Sequence, residues 1–126
     1  MLIDSNIVIL ASKLQNVELL SKLKKEEANI KVSIITKIEV LGYHQLNQVQ
    51  KKFLENFFRA ITVLPVNENV AEIAILIRQK RPVSIADALI AATAVAFELE
   101  LLTENTKDYR GIQNLELLNI EEFLKD

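Results

Sequence analysis

Short runs of apolar, largely β-branched residues alternate along this chain with longer stretches in which apolar side chains recur every three or four positions. The short runs build strands, and the longer period builds amphipathic helices. A chain that alternates the two buries both by laying its strands side by side, mostly parallel, with helices on either face. The expected architecture is α/β: a three-layer α/β/α sandwich with a central, mainly parallel sheet.

Strands are expected at Met1 to Ile3, Ile30 to Ile34, Ile61 to Leu64, Leu101 to Thr103 and Leu115 to Leu118, with Pro65 closing the third. Helices are expected to begin at Ser5-Asn6, to cover Val17 to Glu27, and to run from Thr36 to about Asn47 and from about Val49 to Arg59. Another occupies Glu68 to Gln79 until Pro82 breaks the pattern; Ser84 opens the next, which ends near Glu98, and a short one starts at Glu121. The segment between Thr103 and Leu115 reads as a loop. With two glycines and two prolines among 126 residues there is no linker or repeat, so residues 1–126 read as one domain.

Half the residues are apolar, enough to bury a core without covalent staples. The absence of cysteine excludes disulfides, thiolate metal sites and a thiol nucleophile, so any metal must sit on oxygen ligands or on His44. That single histidine lies near the end of an expected helix and reads as a surface residue, which leaves no histidine base. An acid at the fourth position, with no basic region ahead of a long apolar run, argues against a secretory signal. The longest weakly polar stretch, Ile85 to Phe97, carries Asp87 and is shorter than the roughly 20 residues a membrane span requires. A cytoplasmic protein with no membrane association is expected. Tyr43 and Tyr109 suggest no stacking platform.

In an open parallel sheet, ligands bind beyond the carboxyl ends of the strands. That rule selects Asp4, Thr36 to Glu39, Ser84 to Asp87 and Thr103 to Asp108. Of the four aspartates, 4, 87, 108 and 126, three fall at such junctions. Two of the acids have an ordinary explanation. Thr36-Lys-Ile-Glu39 and Ser84-Ile-Ala-Asp87 resemble capping boxes, in which a hydroxyl and an acid three residues on satisfy the first amides of a helix, an arrangement worth roughly 1 kcal/mol. Asp87 resists that explanation better, because the helix after it, Ala88 to Phe97, is apolar on nearly every side. A carboxylate at the head of a buried helix needs a compensating charge, hydrogen bonds or a cation. Carboxylates gathered at one place repel unless a metal neutralises them, and hard divalent cations prefer such oxygens. The arrangement predicts a divalent ion shared by Asp4 and Asp87.

Four segments, Leu2-Ile3-Asp4-Ser5-Asn6-Ile7, Ser33 to Gly42, Asp87 to Ala94 and Leu102 to Tyr109, occur in an order and spacing that resemble the PIN-domain nucleases, and within them the VapC-type toxins of toxin–antitoxin pairs. The resemblance implies a PIN-like fold and an endoribonuclease dependent on Mg²⁺, with Mn²⁺ able to substitute. By position, Asp4 and Asp87 resemble the metal ligands, and Glu39 the acid that completes the cluster or holds the attacking water. Ser5 or Asn6 would support Asp4, and Thr103 would orient the last loop. Where many relatives carry a fourth acid, eighteen residues beyond Asp87, this chain has Asn105; Asp108 either takes that role or fixes the loop. The resemblance also implies an RNA substrate, an antitoxin whose tail covers the acidic groove, and a homodimer. With a net charge of −2 there is no general attraction to nucleic acid, so steering would fall to the metal and to local bases: Lys22, Lys24, Lys25, Lys51, Lys52, Arg78, Lys80, Arg81, Lys107 and Arg110. Most of these read as solvated helix faces.

Three other readings bear on the same residues. A phosphoacceptor receiver domain shares the architecture but needs an aspartate at the end of its central strand, and none lies between Asp4 and Asp87. A PIN fold that only binds RNA or protein would not need all three main acids. A DNA or flap-type nuclease would call for insertions that this chain lacks.

Overall fold

The computed structural model describes residues 1–13 and 15–125. Strand β1 (Leu2–Ile3) leads into α1 (Ser5–Ser12), and α2 (Val17–Lys25) is followed by a 3₁₀ turn, Glu27–Asn29, and β2 (Lys31–Ser33). Next come α3 (Ile34–Leu41), α4 (Gln48–Ala60), β3 (Thr62–Leu64), α5 (Glu68–Lys80) and α6 (Ile85–Ala96). The described chain finishes with β4 (Leu101–Leu102), α7 (Thr106–Tyr109), β5 (Leu117–Leu118) and α8 (Ile120–Leu124).

All strand pairs are parallel, in the order β3-β2-β1-β4-β5. Successive side chains on a strand point to opposite faces, and the two central strands show this cleanly. Leu2 and Leu101 pack with Val70, Ala74, Ile77 and the buried alanines of α6. Ile3 and Leu102 pack on the other face with Ile7, Val8, Leu23, Leu54, Phe58 and Phe123 from α1, α2, α4 and α8. Each such side chain, fully buried, contributes about 1.5–3 kcal/mol relative to exposure. The three-layer α/β/α sandwich is therefore present, and its sheet is wholly parallel.

Several local expectations are corrected. The helix expected to open at Thr36 begins at Ile34, because the Ser33 hydroxyl caps it by accepting from the Ile35 N–H at 3.0 Å. It stops at Leu41 rather than near Asn47. Gly42 ends it where an added Cβ would lie 2.6 Å from the Ile38 carbonyl oxygen, and Asn47 starts α4 with a full capping box to Gln50. His44 thus stands exposed in the loop between α3 and α4. The helix expected to begin at Ser5-Asn6 does start at Ser5, and its cap is Asp4. A four-residue helix, α7, occupies the segment read as a loop. The α6 helix is buried through its middle, but Ile85 at its start and Phe97 just beyond its end are 60% and 36% exposed, so its burial is not all-round. No helix among the described residues is long and apolar enough to cross a membrane.

Candidate active site

From β1 the chain builds outward through β2 to β3, then returns to place β4 on the other flank of β1. Where strand order reverses, the connections leaving neighbouring strands diverge and open a crevice at their carboxyl ends. Asp4 follows β1 at that point, and Thr103 follows β4 beside it.

Asp4 is only 5% exposed. Its Oδ1 accepts the Ser5 N–H at 2.7 Å and its Oδ2 accepts the Thr103 hydroxyl at 2.8 Å. Thr103 Oγ1 in turn accepts the Asn105 N–H at 3.0 Å, so one hydroxyl ties the last loop to the first acid. The Tyr109 hydroxyl lies 3.2 Å from Asp4 Oδ2 and 3.2 Å from Asp87 Oδ1, joining the two aspartates across one oxygen atom. Burial pushes the Asp4 carboxyl above its ordinary value; hydrogen bonds from Thr103, Ser5 and Tyr109 oppose that shift and the Asp87 charge adds to it. The Tyr109 hydroxyl is likewise driven up, by burial first and then by the two carboxylates, and stays protonated.

Asp87 occupies the third position of α6. The Ser84 hydroxyl accepts its N–H at 3.0 Å, which is half of a capping box. Its carboxylate goes to Tyr109 instead of completing the box. Glu39 is not a cap at all: with α3 starting at Ile34, it sits in the second turn, and its Oε1 accepts the Ser5 hydroxyl at 2.6 Å. Ser5 therefore reaches Asp4 through its backbone and Glu39 through its side chain, with the buried Thr36 hydroxyl 3.3 Å away. The connected set runs Glu39, Ser5, Asp4, Tyr109, Asp87.

Asn105 is exposed just before α7 and Asp108 is exposed within it. Among the described residues, no hydrogen bond or ion pair joins the Asp108 carboxylate to this set; its carbonyl accepts from Arg81, whose guanidinium also takes the Arg110 carbonyl at 2.6 Å. Arg81, counted among the bases available for steering, is instead a clamp on the end of α7. Arg78 Nε is similarly engaged by the Val83 carbonyl.

Tyr109 is the member of this connected set that sequence reasoning passed over. Its one available signal was position, as the last residue of the fourth PIN-like segment.

Among the described residues no three acidic or histidine side chains form a group that holds an ion alone. Two carboxylates in one crevice, one of them desolvated, still suit a divalent cation such as Mg²⁺, which binds through one or two carboxylates and retains waters. On the first turn of α1, the Asn6 side-chain oxygen is buried without a hydrogen-bond partner among the described residues, a further oxygen of suitable chemistry at the same helix end.

The family model for the PIN domain matches residues 1–113. This chain belongs to the PIN domain family. Membership implies use of a divalent metal. Over 104 residues this PIN domain is 33% identical to a protein named ribonuclease VapC1 from Rickettsia felis, covering 75% of this chain and 77% of that one. Its fold matches a toxin–antitoxin complex from Klebsiella pneumoniae with a TM-score of 0.73 at 30% identity, over 93% of this chain and 94% of the other. A DNA-bound VapBC from Salmonella typhimurium shares the fold, with a TM-score of 0.79 at 20% identity over 94% and 96% of the two chains.

Proposed function

We propose that this PIN domain, residues 1–126 as one unit, is an endoribonuclease that depends on Mg²⁺, with Mn²⁺ able to substitute, and is the toxin of a toxin–antitoxin pair. The observation that carries the reading is the meeting of Asp4 and Asp87 on the single Tyr109 hydroxyl at the switch point of the sheet. These residues are far apart in the chain, Tyr109 lying 105 positions from Asp4 and 22 from Asp87, and the burial of Asp4 leaves its charge in want of a cation. The ribonuclease name of the Rickettsia felis relative supports RNA as the substrate. The Klebsiella pneumoniae complex supports an antitoxin as partner, and we propose in addition that the chain forms a homodimer.

Asp4 and Asp87 would hold the cation, which when bound would supply neutralisation of phosphate charge and a hydroxide nucleophile near neutral pH by lowering the pKa of water. Glu39, exposed and anchored by Ser5, orients the attacking water. Lys107 and Arg110, exposed on either side of Tyr109, draw the RNA phosphates toward an acidic crevice. We assign the fourth corner to Asn105, whose N–H meets the same Thr103 hydroxyl that binds Asp4; Asp108 fixes the loop through its backbone.

Purified protein incubated with a mixed RNA pool should cut it with Mg²⁺ or Mn²⁺ and not with EDTA. Asp4→Asn and Asp87→Asn should each lower the rate by more than about a hundredfold, beyond the loss typical of an outer partner of a metal ligand. Cleavage in EDTA, or undiminished cleavage by both variants, contradicts the reading. Toxicity on expression, relieved by the product of a neighbouring gene, tests the toxin assignment.

A further inference from the structure

Resting on the reading of Asp4 and Asp87 as cation ligands, we infer that Tyr109 is a positioning residue that sets how tightly the cation is held, by fixing both carboxylates through its one hydroxyl. Three observations carry this. The ring is 1% exposed and packs with Leu2, Leu101 and the α6 alanines, so the hydroxyl has little freedom to move. The hydroxyl is equidistant from the two acids at 3.2 Å, longer than the roughly 2.5–2.7 Å of an undivided bond to a carboxylate. One phenolic proton serves two acceptors, and with Asp4 Oδ2 also taking the Thr103 hydroxyl and Oδ1 the Ser5 N–H, each carboxylate still keeps a lone pair for an ion, on Asp4 at Oδ1. Finally, α7 is held from behind: the Arg81 guanidinium takes the carbonyls of Asp108 and Arg110, on either side of Tyr109.

The consequence is division of labour between the two acids. Asp4 has Ser5 and Thr103 as further donors to its carboxylate, whereas among the described residues the donor to the Asp87 carboxylate is Tyr109. Without the hydroxyl, Asp4 stays in place and Asp87 loses its anchor. Outer partners that orient metal ligands are typically worth about 10–100-fold in affinity.

Mn²⁺ binding is followed by the electron paramagnetic resonance of free Mn²⁺, on wild type and Tyr109→Phe, alongside far-UV circular dichroism and melting in EDTA. Tyr109→Phe should keep the fold and bind Mn²⁺ at least about tenfold more weakly. With saturating Mn²⁺, the KM for RNA should stay near the wild-type value, with the loss appearing in the Mn²⁺ concentration needed. A second measurement does not depend on that variant folding. The chain has two tyrosines and no tryptophan, so in Tyr43→Phe, which alters an exposed loop residue, Tyr109 alone can sensitise Tb³⁺ luminescence. Emission that Mg²⁺ competes away is expected there. Mn²⁺ bound equally well by wild type and Tyr109→Phe, or absence of sensitised emission from a Tyr43→Phe protein that binds Mn²⁺, overturns the role of Tyr109 and leaves the metal reading standing. Failure of the wild type to bind Mn²⁺ overturns both.

Discussion

Asp4 is a charge that the fold tolerates at a cost. Its carboxyl is raised by burial, so the folded chain binds its proton more readily than the unfolded chain does. Below the ordinary carboxylate value the side chain is neutral in both states and costs nothing; as pH rises through that value toward the raised one, ionisation favours the unfolded chain, and above both the penalty is complete. In EDTA at pH 7, Asp4→Asn should therefore melt higher than wild type, and the gap should close below about pH 4, where the unfolded carboxyl takes up its proton. Saturating Mg²⁺ should reverse the order, because only the wild type gains the binding free energy. A wild type more stable than Asp4→Asn in EDTA at pH 7 would refute the cost. Asp4 and Asp87 were legible in the sequence because a carboxylate amid apolar residues is an anomaly. Tyr109 was not, since a tyrosine in a core is ordinary and its partners lie 105 and 22 residues away.

At the scale of elements, one helix start decides what Glu39 is. Sequence alone places the cap at Thr36; the structure places it at Ser33, whose hydroxyl is of a type that caps as readily. Tertiary structure separates the two: β2 ends at Ser33, and the Thr36 hydroxyl is buried against Ser5. Ser33→Ala should then cost about 1 kcal/mol, as loss of an N-cap does, measured by urea unfolding in EDTA. A cost near zero would argue that the cap lies elsewhere. The α6 helix was legible from its alanine-rich run, and the reason for that composition is now visible. Ala88, Ala91, Ala92 and Ala94 are fully buried between the sheet and α5. Enlarging one, as in Ala91→Leu, should overpack the layer and cost roughly 1–3 kcal/mol. The short α7 escaped sequence reading because four residues give no period to read.

For the whole molecule, the class of fold followed from alternation of strands and helices, but the strand order did not. Nothing local in Leu101–Leu102 says that it pairs with β1 rather than β3; the pairing rests on which face each leucine buries. That order matters, because the reversal at β1 and β4 brings Asp4, Thr103, Tyr109 and Asp87 to one crevice from positions spread over most of the chain. That crevice is the proposed cation site. Crystals grown with Mn²⁺ should show an anomalous difference peak in contact with the carboxylates of Asp4 and Asp87, absent from Asp87→Asn crystals. A peak elsewhere on the protein, with none between these two acids, would contradict it.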